Sequence, residues 1–264
     1  FFLKMSGLLS IIVYFLASIK YNFISYMPKK SKINTVVILA GGLGTRLSEE
    51  TKKKPKPMVK IGNEPILWHI IMHYKHFGFR NIIICAGYKG FIIKNYFKKK
   101  RFNNLNIKVI STGIKSLTAT RLIKIKKLLP EQFCMTYGDA VSNLNLNSLI
   151  RYHIKKKSFF TVTGVIPVSK YGSLMFNKKN QIIKFMEKKD FENNFVSGGY
   201  FVINKNCFRY LQDKKNQMLE REPMSKIAKT GKMFIYKHRS FWQCMDTLRD
   251  KLYLEKLWKK NPKW

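Results

Sequence analysis

Acid is what this chain lacks. Only 14 of its 264 residues are Asp or Glu, against 51 Lys or Arg, a formal charge of +37. The aspartates are Asp139, Asp190, Asp213, Asp246 and Asp250. Chemistry that needs a carboxylate-held metal therefore has few side chains to draw on. Cysteine is scarce as well. Cys85, Cys134, Cys207 and Cys244 lie far apart with no C-x-x-C pair, which excludes a disulfide frame and a paired-cysteine zinc site. Cys85 and Cys134 fall inside apolar runs and read as buried, reduced thiols. The histidines are scattered, and no Ser-His-Asp or Cys-His set stands out. There is no zinc motif, no RNA-type aromatic strand and no localised basic stripe, so the positive charge does not by itself indicate nucleic acid. The lysines come in short runs and singly throughout, alongside much Ile, Asn and Phe, as a drift in composition would leave them. A positive surface still attracts anionic ligands such as nucleotides.

Long apolar runs are also missing. GLLSIIVYFLASI at 7–19 falls short of the about 20 residues a bilayer span requires. Residues 1–33 read as an N-terminal extension. In one reading Met27 is the natural start; in the other, 1–26 are a membrane anchor. Only the second brings a membrane partner. The first, with the reduced thiols, places the protein in the cytoplasm.

From residue 34 onward the chain alternates. Strand-like runs stand at 35–40 (TVVILA), 81–86 (NIIICA), 106–111 (NIKVIS), 132–137 (QFCMTY), 159–166, 181–187, 199–204 and 232–237. Helical patterns lie at 65–77, 89–100, 119–129, 145–157, 222–229 and 246–259. Alternation of this kind predicts an α/β fold, Rossmann-like, with a mostly parallel (mixed) sheet and helices on both faces. No repeat or linker interrupts 34–264, which reads as a single domain.

The first strand runs into Gly41-Gly42-Leu43-Gly44-Thr45-Arg46. This is neither G-x-G-x-x-G nor a Walker loop, because no G-K-[ST] follows. A loop of small residues at the carboxyl end of a strand can still aim backbone N–H groups at an anion. Arg46 adds a planar fork for phosphate oxygens. Lys56, between Pro55 and Pro57, adds a point charge on a stiffened segment. Asp139 and Asp246 each follow a strand. Together they suit Mg²⁺, which takes one or two carboxylates plus substrate phosphates. Singly, either reads as a turn residue, and Asp246 as a helix cap.

The segments LAGGLGTRLSEET…KPKPMVKIGNEPILWHI, ICAGYKGFIIKNYF, TYGDAVSNLNL, GGYFVIN and FWQCMDTLRDKLYLEKLW resemble the sugar-1-phosphate nucleotidyltransferases, from about Asn34 to Trp258. SEET, YKG and FWQ-MDTLRDK favour the branch that joins CTP to glucose 1-phosphate, releasing CDP-glucose and pyrophosphate. The resemblance implies the nucleotide-diphospho-sugar transferase fold, Mg²⁺ as cofactor and a homo-oligomer. It implies catalytic roles for Arg46, Lys56 and Asp139, and Asp139 and Asp246 as metal ligands. Nucleotide contacts fall on Leu39, Ala40, Gly41, Gly42, Leu43, Gly44, Thr45, Arg46, Lys56, Ser116, Arg121 and Gly138. Sugar contacts fall on Glu187, Lys188 and Gly199. An arginine donor at Arg121 suits the O2 and N3 acceptors of cytosine; the competing reading leaves Arg121 solvated on its helix. The chain departs from the family at Ala119, Thr120, Ala140, Lys189 and Ser197. Another nucleotide or sugar, or a non-catalytic paralogue, is the alternative reading.

Overall fold

The computed structural model describes residues 33–100, 102–167, 173–186, 195–212 and 216–264, all within the compact unit Ile33–Trp264. Its strands are β1 Thr35–Ala40, β2 Lys60–Ile61, β3 Glu64–Pro65, β4 Asn81–Ala86, β5 Asn106–Ser111, β6 Gln132–Tyr137, β7 Ala140–Ser142, β8 Phe160–Val165, β9 Ser173–Phe176, β10 Ile182–Met186, β11 Val196–Asn204, β12 Met233–His238 and β13 Trp242–Cys244. Its helices are α1 Ser48–Thr51, α2 Ile66–His76, α3 Gly90–Lys99, α4 Thr118–Ile125, α5 Leu146–Lys155, α6 Glu222–Lys229 and α7 Leu248–Lys260.

Seven strands form the main sheet in the order β12-β8-β11-β6-β1-β4-β5. β1 runs parallel to both β4 and β6, and β5 and β12 are parallel to their neighbours. Only β11 is antiparallel, to β6 on one side and β8 on the other. The expected mixed, mostly parallel sheet is therefore present. Both faces are covered. Along β1, Val36, Ile38 and Ala40 enter one core with Ile66, Ile70 and Tyr74 of α2, Ile93 of α3 and Leu149 of α5. Val37 and Leu39 enter the other with Leu122 and Ile125 of α4 and Ile227 of α6. The alternation follows from the two-residue period of a strand, and every residue of β1 is buried, as a central parallel strand requires. Burying each such Ile, Leu or Val contributes about 1.5–3 kcal/mol.

Several expectations shift in detail. The segment 119–129 divides into α4 and a 3₁₀ turn, Lys126–Leu128. Pro65 sits just before α2, pairing in β3, and Gly78 ends the helix in the left-handed region at φ 87°. The run 181–187 does not join the main sheet; β10 pairs antiparallel with β9 in a separate two-stranded sheet. The short pair β7 and β13, unread in the sequence, joins segments about a hundred residues apart. Among the described residues no helix is long and apolar enough to cross a membrane.

Candidate nucleotide and metal site

β1 has β4 on one side and β6 on the other, so the chain direction away from β1 reverses there. Open α/β sheets bind ligands at the carboxyl ends of strands at such a point. A cavity of about 350 Å³ opens at the ends of β1 and β6. Leu39, Ala40, Gly41, Gly42, Gly44, Thr45, Arg46, Lys56, Ser116, Arg121, Gly138 and Asp139, all singled out in the sequence, line it together.

The glycine turn is shaped from within. Gly44 has φ +69°, and a Cβ there would lie 2.9 Å from Thr51 Cγ2 and 3.0 Å from Lys56 Cβ. Only glycine fits on both counts. Thr51 Oγ1 donates to the carbonyls of Gly44 (3.0 Å) and Leu47 (2.9 Å), tying the loop to α1. Gly42 faces open space. Among the described residues, no backbone carbonyl takes the N–H groups of Gly42, Leu43 or Gly44. Leu43 itself is 53% exposed and does not line the cavity.

Gly41 is seated on Arg121. The Arg121 side chain is buried, which corrects the reading that left it solvated on α4. Its Nη1 donates to Thr112 Oγ1 (2.6 Å) and the Ala86 carbonyl (3.2 Å), and its Nη2 to the Gly41 carbonyl (3.0 Å). A Cβ on Gly41 would fall 2.1 Å from that guanidinium. Arg121 therefore links the glycine turn to the ends of β4 and β5. Burial pulls its pKa below the ordinary guanidinium value, with carbonyls and a hydroxyl rather than a carboxylate as its hydrogen-bond partners.

The charged end is built by β7 and β13. Ala140 pairs with Cys244, Val141 with Gln243 and Ser142 with Trp242. One step beyond, the Met245 N–H donates to the Asp139 carbonyl at 2.8 Å. The pairing sets Asp139 beside Asp246. Asp246 does not cap α7: Thr247 does, in a capping box with Asp250. The Asp246 carboxylate is left for other partners. Lys56 Nζ lies 2.7 Å from Asp139 Oδ2 and 2.5 Å from Asp246 Oδ1, and Arg46 Nη1 lies 2.9 Å from Asp246 Oδ2. Burial alone would lower the Lys56 pKa, but Asp139, Cys244 and Asp246 together outweigh it and the ammonium is held above its ordinary value. Burial alone would raise Asp246, but Lys56 and Arg46 hold it below the ordinary carboxylate value. Two carboxylate oxygens thus flank one cation position, the donor set a hard divalent ion takes. Asp139, Cys244 and Asp246 offer ligand atoms within 4.8 Å of one another. Burial and the neighbouring Asp139 push the Cys244 thiol up, so it stands neutral beside the two carboxylates.

The opposite wall was missed in the sequence. Residues 216–220 clasp the start of α4: Asn216 Oδ1 takes the Leu117 N–H (2.9 Å), Gln217 N–H donates to Thr120 Oγ1 (3.0 Å) and Leu219 N–H to Thr118 Oγ1 (2.8 Å). Thr118 Oγ1 donates to Glu220 Oε2 at 2.6 Å, and the Tyr137 hydroxyl donates to Glu220 Oε1. Burial, and then Glu220, raise the Tyr137 pKa, which keeps the phenol a donor. Pro57, Leu117, Thr118, Tyr137 and Met218 complete the cavity. The only sequence cue was polar residues at a helix start, which marks no partner a hundred residues away. The departures Ala119 and Thr120 belong here, with Ala119 N–H donating to the Gln217 carbonyl at 3.2 Å.

Gly199 does not line the cavity. It sits in β11 at φ +75°, where a Cβ would lie 2.7 Å from the Tyr137 ring, so it shapes the site through Tyr137. Glu187 and Lys188, with Lys189, lie outside the described residues.

Residues 35–249 match the nucleotidyl transferase family. The chain is 40% identical over 248 residues to the glucose-1-phosphate cytidylyltransferase of Salmonella typhimurium, covering 85% of this chain and 96% of that protein. It is equally similar, 40% over 248 residues with the same coverage, to the glucose-1-phosphate cytidylyltransferase of Salmonella typhi. Among solved structures, HddC from Yersinia pseudotuberculosis superposes with a TM-score of 0.67 at 24% identity, covering 86% of this chain and 100% of that one, a likeness of fold.

Proposed function

This chain belongs to the nucleotidyl transferase family, and from that premise we propose that it transfers the cytidylyl group of CTP to glucose 1-phosphate, giving CDP-glucose and pyrophosphate. The observation that carries the proposal is the convergence of a glycine turn, Arg46, Lys56 and Asp139 on one cavity at the ends of β1 and β6, with Asp246 ion-paired to Lys56 and Arg46 beside it. The cytidylyltransferase relatives favour CTP and glucose 1-phosphate over other pairs.

The chemistry follows from charge. A phosphate oxygen of the sugar attacks the α-phosphorus, and pyrophosphate leaves in line. A phosphomonoester's second pKa is about 6, so the nucleophile is already anionic near neutrality and no general base is required. The work is to bring two polyanions together and to stabilise the transferring group. The N–H groups of Gly42, Leu43 and Gly44 and the Arg46 fork receive phosphate oxygens. Lys56 meets the reacting phosphates. Ser116, Arg121 and Gly138 form the nucleotide's base and ribose wall. Glu187, Lys188 and Gly199 serve the sugar. Asp139 and Asp246 would hold Mg²⁺, which when bound offsets phosphate charge.

Residues 34–264 act as one catalytic domain in the cytoplasm, and copies of the chain associate. Supporting association, Leu174, Phe176, Ile182, Ile183 and Phe185 on β9 and β10 are each at least half exposed, and an isolated two-stranded sheet is marginal in water. The test incubates purified protein with glucose 1-phosphate, Mg²⁺ and CTP, UTP, dTTP or GTP in turn, with the mass in solution measured alongside. Pyrophosphate release with CTP alone supports the proposal. Release with another nucleotide moves the chain within the family, release with none marks a non-catalytic paralogue, and a monomeric mass refutes association.

A further inference from the structure

We propose that Lys56 is the resident counter-ion of the Asp139–Asp246 pair and that a divalent cation enters this seat by displacing the Lys56 ammonium. The inference rests on reading these carboxylates as a metal seat, and it adds an internal competitor to that seat.

Three observations carry it. First, Lys56 Nζ bridges the two carboxylates at 2.7 and 2.5 Å, the place a bound cation needs. Second, the stem of Lys56 is fixed. The residue opens a 3₁₀ turn between Pro55 and Pro57, with Met58 N–H donating to the Pro55 carbonyl (2.8 Å) and Val59 N–H to the Lys56 carbonyl (3.0 Å). Its side chain is 11% exposed, so only the outer torsions can swing the ammonium from the carboxylates to the cavity it also lines. Third, the local charges already balance. Asp139 and Asp246 face Lys56 and Arg46, two negative against two positive. A divalent ion arriving alone would leave two uncompensated positive charges in a partly buried seat, where like charges repel more strongly than in water. Arriving with a triphosphate, it leaves the ammonium a new anionic partner. The metal and the triphosphate then strengthen each other's binding reciprocally.

Arg46 contacts the same pair from solvent. Its side chain is 72% exposed, so its ion pair is screened and it competes weakly. Lys56 is the competitor because it is buried and tethered.

The test titrates Mn²⁺ into the full chain and reads free ion by electron paramagnetic resonance, with no sugar phosphate present. Lys56→Met should bind Mn²⁺ alone at least about tenfold more tightly than the unaltered protein. Arg46→Met should stay within about threefold, and Lys56→Arg, which keeps the charge, should remain weak. In the unaltered protein, adding CTP should tighten Mn²⁺ binding, scored against a protein-free control. Lys56→Gln, with its circular dichroism spectrum recorded, substitutes if Lys56→Met does not fold. Metal binding by the neutral variants no tighter than by the unaltered protein overturns the proposal. Tighter metal in Lys56→Met without any effect of CTP, UTP or GTP would uphold the competitor and refute the nucleotide reading instead.

Discussion

The two walls of the cavity are held in opposite ways. On the charged side, Arg46, Lys56 and Asp139 line the cavity and are held, together with Asp246, by ion pairs, and Arg46 is largely exposed. On the other side, residues 115–120, Tyr137 and 216–220 are joined by hydrogen bonds, mostly between neutral groups, and Arg121 is locked onto four acceptors. The charged wall can change partners when an anion or cation arrives, at little strain. The clasped wall cannot do so as easily, because breaking its bonds gives up neutral pairings that fix its shape, at about 1–3 kcal/mol wherever a buried group is left unpaired. A surface that must exchange counter-ions is best built of charges, and a surface that must keep its shape is best built of satisfied neutral bonds.

Substitutions separate the two. The largest effect is expected at Lys56: Lys56→Ala should lower kcat at least about a thousandfold, while Lys52→Ala and Lys53→Ala, exposed neighbours in the same lysine run, stay within about twofold. Steady-state rates with CTP and glucose 1-phosphate check this, and an equal loss at Lys52 would dissolve the distinction between seated and solvated lysines. Next is the clasped wall. Arg121→Ala removes one donor each from the carbonyls of Gly41 and Ala86, which keep the N–H groups of Tyr88 and Thr112, and should destabilise the fold by about 1–3 kcal/mol while raising the KM for CTP. Measuring KM for CTP and UTP in parallel sharpens the point: equal rises mean that Arg121 acts by seating the glycine turn, and a rise for CTP alone means that it reads the base.

The smallest effect at the site comes from acid, acting through the core. Burial drops His73 to about 4 and His153 to about 4, from an ordinary 6.5. Among the described residues, His73 Nε2 and His153 Nε2 have no hydrogen-bond partner. Between about 6.5 and 4 the unfolded chain binds protons that the folded chain refuses, so their contribution is complete above 6.5 and is lost as pH falls toward 4. From pH 7 to 6 the combined loss is roughly 1 kcal/mol, a fall of a few degrees in Tm. His73→Leu should flatten the slope of Tm against pH. An unchanged slope would mean that His73 is not buried neutral.

Much of the fold was legible from local pattern. β1, β4, β5 and β6 match their runs to the residue: β1 and β4 are continuous buried apolar stretches between parallel neighbours, β6 is a buried run of Phe, Cys and Met, and β5, at the sheet edge, alternates apolar and polar residues. β10 was legible as a strand and illegible as to sheet, since IIKFM has no feature that selects a partner. The glycine turn was legible as a loop of small residues at the carboxyl end of β1. Arg121 was misread as a solvated helix residue in one reading, because its acceptors, Gly41 after β1, Ala86 on β4 and Thr112 and Ile114 after β5, are invisible in a helical repeat.

The sequence by itself determined where strands and helices form, where the glycine turn sits and which few carboxylates exist, because each follows from side-chain type and short-range period. Only the tertiary structure decided which of those groups meet. Lys56 reaches Asp139 and Asp246 from 83 and 190 residues away, and the β7–β13 pair that aligns the two aspartates is three residues long in each strand. Contacts of that range depend on the packing of the sheet around them, and packing is a property of the whole chain.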